Sequence, residues 1–386
     1  MKGRPCLPAG RKIVSAAGIF FIIVFLVAGR LPLAAQAQDS SASGARKATG
    51  PVVPETKISY QWFLAYAGGN DGGQNFNKFS INRGYINIAS RFNKYVSTRI
   101  TPDLTEDREG DGEGDLKLRL KYLYVMFSLP SRGIFTQPAV EFGLGHMPWI
   151  DFEEHINNYR CQGTLFMERN HLFNSADNGI TFMSLLGGEM SDEYKRTVNG
   201  KYAGRRGSLA LGLYNGGGYH ALEKNQNKVF EARLTFRPLP EFAPGLQASY
   251  FLARCRGNSR LSPDWAVDAL MLSLEHRQFV LTAQYCSATG NSGGSALDAA
   301  GIPREQEGYS LFGEYRIPGK PLSLIGRYDN FDENTTLSGH TTDRTILGLA
   351  YNFAGQNKAL LDYDTVKYAA TGEREGMTKF TIEISF

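Results

Sequence analysis

Lys117, Arg119 and Lys121 stand two residues apart in Leu116-Lys117-Leu118-Arg119-Leu120-Lys121. Alternate side chains of an extended backbone share a face, so these three cations form a ladder roughly 13 Å long. Facing a water-filled passage, such a ladder lowers the barrier to an anion and raises it for a cation. On an open, solvated sheet it would carry no transport, and the residues alone leave both readings standing. Arg83, Arg233, Arg316 and Arg327 fall on polar faces of other strand-like segments. So do Glu231, Glu314, Asp329 and Asp362, which makes the expected lining mixed in charge.

A second group lies in the connection 148–178. It opens with Pro148-Trp149 and contains Asn157-Asn158-Tyr159-Arg160 and Phe166-Met167-Glu168-Arg169-Asn170. Trp149, Phe152, Leu165, Phe166 and Phe173 need a surface to cover them. Folding inward against a wall would supply that surface and turn Arg160 and Arg169 toward the passage. The alternative is an external cap. Asp103–Asp115 holds seven acidic residues and one basic one. Its spacing does not fit an EF-hand, so it reads as a solvated loop rather than a calcium site.

Other chemistry is absent from the pattern. There is no phosphate-cradling Gly-Lys-Ser/Thr loop and no His-Glu-x-x-His pair. The expectation is a chain that is not an enzyme and has no metal or cofactor. Cys161, Cys255 and Cys286 are scattered and form neither a disulfide framework nor a ligand set.

The elements that must position these cations are strands. In Lys379–Phe386, Phe380, Ile382, Ile384 and Phe386 form an apolar face opposite Lys379, Thr381, Glu383 and Ser385. Leu116, Leu118, Leu120, Tyr122 and Tyr124 read as another such face. Phe230, Ala232, Leu234 and Phe236 form a third, and Leu347, Leu349, Tyr351 and Phe353 a fourth. From residue 57 onward sixteen strand-like segments recur, the fourth at about 115–129 and the fifth at about 139–147. Connections after even-numbered segments are mostly short, with 188–206 a long exception; those after odd-numbered segments are mostly longer and more polar. That asymmetry belongs to outer-membrane barrels. No amphipathic helices are visible to cover the apolar faces as a soluble fold would require. The fold expected is all-β: a closed antiparallel transmembrane barrel of about sixteen strands with long external loops and an inward-folded third loop.

Residues 1–37 read as a signal peptide: Lys2, Arg4, Arg11 and Lys12 precede an apolar run to Ala28, and Ala35-Gln36-Ala37 offers a cleavage site. Residues 38–56 read as a flexible segment, and 57–386 as the barrel. The chain has 42 basic and 38 acidic residues, and the leader takes five of the basic ones and no acidic one. The remainder carries a net charge of −1, which excludes nucleic-acid binding through bulk charge.

The chain resembles the phosphate-selective porins, porins O and P. Ile81-Asn82-Arg83-Gly84-Tyr85-Ile86-Asn87-Ile88 looks like an early Arg-Arg-Ala-rich strand of that family, and Phe142–Trp149 like its Gly-Gln-Phe-Lys-x-Pro-Phe segment. Leu165-Phe166-Met167-Glu168-Arg169-Asn170 is close to Thr-Phe-Met-Glu-Arg-Ser, and Asp177-Asn178-Gly179-Ile180 to Arg-Asp-Leu-Gly-Val. Ala210–Gly218 and Arg233-Leu234-Thr235-Phe236 resemble its Asn-Gly and Arg-Leu-Thr-Phe segments. A final strand closing on Phe386 resembles the terminal signal of outer-membrane porins. The resemblance implies a sixteen-stranded homotrimer in the bacterial outer-membrane lipid, passing small anions such as phosphate along basic side chains. Arg83 and Arg169 keep the family's basic residue. His146 stands where a Lys is usual and Asn82 where an Arg is usual, and both changes reduce permanent positive charge. The expected anion path is therefore Arg83, Lys117, Arg119, Lys121, His146, Arg160, Arg169, Arg233, Arg316 and Arg327. A general porin without anion preference is the alternative in the same class. An outer-membrane barrel enzyme and a soluble secreted β-domain are the alternatives outside it.

Overall fold

The computed structural model describes residues 53–107 and 112–386. The expected leader and most of the segment 38–56 lie outside the described residues. Sixteen antiparallel strands follow one another around a closed barrel. They are β1 (Glu55–Asp71), β2 (Gln74–Arg91), β3 (Val96–Glu106), β4 (Leu116–Ser128), β5 (Phe135–His146), β6 (Ala176–Leu186), β7 (Gly207–Tyr214) and β8 (Val229–Phe236). The second half comprises β9 (Leu246–Arg256), β10 (Asp264–Glu275), β11 (Phe279–Thr289), β12 (Glu305–Arg316), β13 (Leu322–Asp332), β14 (Thr341–Ala354), β15 (Asn357–Tyr368) and β16 (Arg374–Ser385). Each strand pairs with the next, and β1 closes on β16 with Gln61 opposite Ser385 and Asn70 opposite Gly376. Tyr60 and Phe386 then exchange backbone hydrogen bonds of 2.8 and 3.2 Å. Closure leaves no edge in the ring, the condition for a sheet to stand in hydrocarbon.

The alternation that defines the outer face survives almost everywhere. Leu270, Leu272, Leu281, Leu311, Leu324, Leu347, Leu349, Leu361 and Phe380 are all exposed large apolar residues on the outside of the ring. A continuous apolar band of this extent has no place on a soluble monomer. Aromatics gather toward one rim, where Tyr60 and Trp62 pack on Phe386 at 4.9 and 5.6 Å between ring centres. Tight turns close several hairpins at that rim, and Gly319 and Gly355 there take φ of 71° and 59°. Such left-handed turn positions are open to glycine at no steric cost.

One expected face is wrong. Tyr122 and Tyr124 point inward and are buried, while Leu123 faces out. The cause is a register shift between Thr101 and Pro102 of β3. Thr101 pairs with Tyr122 and Pro102 with Leu120, so Lys121 is the extra residue of a bulge. Proline has no N–H for the ladder and favours such an irregularity. Inward pointing therefore runs Lys117, Arg119, Lys121 and then Tyr122 and Tyr124. A smaller irregularity at Thr136–Ala139, with Gln137 at φ 49°, lets β5 begin at Phe135 rather than near 139.

The inside is not uniformly wet either. The connection between β5 and β6, called loop 3 below, folds into the barrel. It carries helix α1 (Ile150–Glu154), a 3-10 turn (Arg160–Gln162) and helix α2 (Phe166–Arg169). Trp149, Phe152, Phe166 and Phe173 are buried against Phe251, Trp265, Val267, Met271, Phe312 and Phe331 of the inner wall. The protein's main hydrophobic core thus lies inside the ring. On β9 to β13 parts of the inward faces are apolar because they meet loop 3, not water.

The candidate permeation site

Loop 3 is pinned along the β8 to β16 half of the wall. Arg233 Nε donates to Pro148 O at 2.9 Å, Gln284 Nε2 to Glu153 Oε1 at 2.6 Å, and Tyr159 OH to Glu314 Oε1 at 2.7 Å. Arg327 Nη1 donates to Thr164 O at 3.0 Å, Lys358 Nζ to Asn158 O at 3.1 Å, and Lys379 Nζ to Gln162 O at 2.7 Å. Space remains mainly against β1 to β4. It consists of two cavities of about 510 and 670 Å³. The first reaches Gly355 and Gln356 at the tight-turn rim, and the second reaches Asp71 and Gln74 at the opposite rim. Phe63 and Arg160 line both, which places Arg160 at the junction of the two vestibules.

Around that junction cations collect from the strand wall and from the loop. Lys121 is 2% exposed; its Nζ donates to Tyr85 OH at 2.9 Å and lies 4.8 Å from the centre of that ring. Arg99 donates to Asn87 Oδ1 at 2.7 Å and stacks 4.9 Å from the Tyr122 ring. Among the described residues neither Lys121 nor Arg99 has a carboxylate within ion-pair distance. Arg83 reaches Asp103 only at 3.9 Å. Arg160 is bracketed by Glu154 at 3.0 Å and Glu168 at 2.7 Å. Burial would raise the Glu168 carboxyl, but Arg160, Lys121 and Arg83 outweigh it and hold it at about 2 against an ordinary 4.5. A depressed carboxylate contributes its full stability above its ordinary value and loses it as the pH falls through the folded one. The Arg160–Glu168 pair therefore fastens the loop at neutral pH and releases only near pH 2.

The remaining expected residues fall into distinct roles. Lys117 is paired with Asp107 at 2.7 Å and Arg119 with Asp103 at 2.8 Å, so the lower two rungs of the ladder are neutralised. Arg169 lines the second cavity, 3.6 Å from Asp329. His146 borders the first cavity with Nδ1 2.9 Å from Glu141 Oε2. Arg316 lines that same cavity but is tied to Glu314 at 2.7 Å. Two expectations do not hold as lining. Arg233 is fully buried beneath loop 3, with its guanidinium over the Phe152 ring at 4.1 Å. Arg327 is buried on Asp329 at 2.7 Å and holds the loop. Both face inward, as the alternation required, but the loop covers them.

Arg99 was missed, although Ile100, Pro102 and Leu104 alternate with Arg99, Thr101 and Asp103 and show its side. Lys201 was also missed. It reaches the first cavity from the connection between β6 and β7, where no periodicity exists to reveal it.

Comparison with solved structures settles the architecture. The anion-selective porin of Comamonas acidovorans superposes with a TM-score of 0.58 at 12% identity, covering 86% of this chain and all of that one. The fold is a porin fold. The outer-membrane channel DcaP of Acinetobacter baumannii matches with a TM-score of 0.54 at 11% identity, over 86% and 97% of the two chains. The outer-membrane protein OmpT of Vibrio cholerae, described in a trimer form, matches with 0.56 at 10% identity, over 86% and 100%. No protein-family model and no curated protein matches the sequence.

Proposed function

We propose that this chain is an outer-membrane porin that lets small anions diffuse passively through a water-filled channel. The observation that carries this reading is the gathering of Arg83, Arg99 and Lys121 from the wall opposite Arg160 from the loop, at the junction of two vestibules. Fixed cations at a narrow point offset part of an anion's desolvation cost and repel cations. The apolar outer band supports a place in a bilayer, and the fold shared with outer-membrane channels such as DcaP supports the outer membrane. The Vibrio protein's trimer form supports a homotrimer. The resemblance to porins O and P supports phosphate-like anions as solutes.

A second reading has its own observation. Glu154 and Glu168 crowd Arg160, and Lys117 and Arg119 are paired. A general porin with only mild anion preference fits that balance. Reversal potentials in planar bilayers, under chloride and then phosphate gradients, decide among these. A clear anion preference is expected, and a cation-favouring potential would falsify the proposal. Glu154→Gln with Glu168→Gln should then raise the anion-to-cation permeability ratio by about threefold or more, since it removes two charges that offset the fixed cation. An unchanged ratio would place Arg160 off the ion path.

A further inference from the structure

Loop 3 is not the only segment that enters the barrel. The connection from β6 to β7, between Leu186 and Gly207, lies at the tight-turn rim, where its counterparts are short. Its first part forms helix α3 (Asp192–Thr197), capped by Ser191 Oγ accepting from Tyr194 N at 3.2 Å. The helix is fastened to the barrel base: Arg237 is fully buried, donating to Tyr194 OH at 3.0 Å and to Gly204 O at 3.1 Å. Its second part turns inward. Asn199 Nδ2 lies 2.8 Å from Glu275 Oε2 and 3.1 Å from His155 O of loop 3.

The two inward segments meet at Asp151, in α1. Lys201 Nζ donates to both carboxylate oxygens, at 2.8 and 2.7 Å, and Tyr202 OH donates to Oδ2. The Tyr202 ring stands edge-on to Phe152 at 5.1 Å, and the Arg233 guanidinium lies over both rings. From β5, His146 Nε2 faces the same carboxylate at 3.6 Å; from the C-cap of α1, His155 Nδ1 does so at 3.8 Å. Burial would raise the Asp151 carboxyl, but Lys201, His146 and His155 outweigh it and hold it well below the usual range. Asp151 is thus an ionised, nearly buried anchor, and removing its partners would leave a charge without compensation.

We infer that the β6–β7 segment is a strut that sets the narrow point from the opposite rim to loop 3, with Lys201 and Tyr202 as positioning residues acting through Asp151. The inference rests on the channel reading for its conductance test, though the contact itself does not. Loop 3 is fixed at its far end by β12 to β16, and the strut fixes its near end. Without it, the α1 end swings on the remaining wall contacts and the junction beside Arg160 widens and fluctuates.

Two variants test this in the full-length refolded protein: Lys201→Met with Tyr202→Phe, and Asp151→Asn. Heat-modifiable gel mobility first establishes that each barrel has closed. Single-channel recording in potassium chloride should then show conductance up by about twofold with added flicker, because a narrow charged section dominates resistance. The sign of the anion preference should persist, since the strut carries none of the cations at the junction. Lys201→Arg, which can still meet both oxygens, should restore the quiet, lower conductance. Hydrogen exchange at residues 150–156 should quicken in both variants, a readout that needs no channel activity. Closed barrels with wild-type conductance and wild-type exchange would overturn the strut. A wild-type protein that conducts nothing would instead overturn the channel reading and leave the exchange result to judge the contact.

Discussion

Arg160→Glu combined with Lys121→Glu should convert an anion-preferring channel into a cation-preferring one. Arg160 borders both vestibules, and Lys121 faces the first from the strand wall. A unit charge about 5 Å from a passing ion is worth about 3 kcal/mol at an effective dielectric near 20. Reversing two such charges shifts the balance by several kcal/mol before screening, so the permeability ratio should move by more than tenfold. The shift should shrink at high salt, because mobile ions screen the wall. The single changes should each move the reversal potential the same way by less. Lys117→Gln, which removes a cation already paired with Asp107, should move it least. A double variant that retains the wild-type potential would remove this junction from the conduction path.

Leu349→Arg should prevent the barrel from assembling stably. Leu349 lies on β14 among the exposed outward residues Leu347, Tyr351 and Phe353. An Arg on the lipid face near the bilayer midplane costs about 2–4 kcal/mol in comparable barrels. That is a large fraction of a marginal folding free energy. Asn352→Arg, three residues on, places the same charge on the opposite face, where Asn352 lines the first cavity. It should fold normally and strengthen anion preference. Equal folding yields for the two variants in lipid vesicles would show that no hydrocarbon lies against β14.

Most of the architecture was legible because a barrel repeats one local rule. Each strand must offer apolar side chains to one medium and polar ones to the other, and a period of two is visible in single segments such as Phe230–Phe236. Sixteen segments were read and sixteen strands are present, in the same places. The misreading of Tyr122 and Tyr124 came from continuing that rule through a bulge, and Pro102 was the available warning. The site was less legible. Alternation shows that Arg233 and Arg327 point inward, but not that a loop lies between them and the passage. The ladder was found, yet its partners Asp103 and Asp107 sit on a neighbouring strand and loop, and pairing across strands is fixed by register rather than by spacing. Lys201 lies where no periodic signal operates at all.

The burial of loop 3 against only part of the ring has a consequence for how such a chain can change over time. Many interior residues of β8 to β13 are committed to supporting a folded insert, so altering them disturbs assembly. The inner surface of β1 to β4 supports little, and on the proposed channel reading it mainly meets the diffusing solute. Preference for one solute over another can therefore drift by replacing a few side chains on that thinner arc, while the massive remainder of the interior stays under a separate constraint.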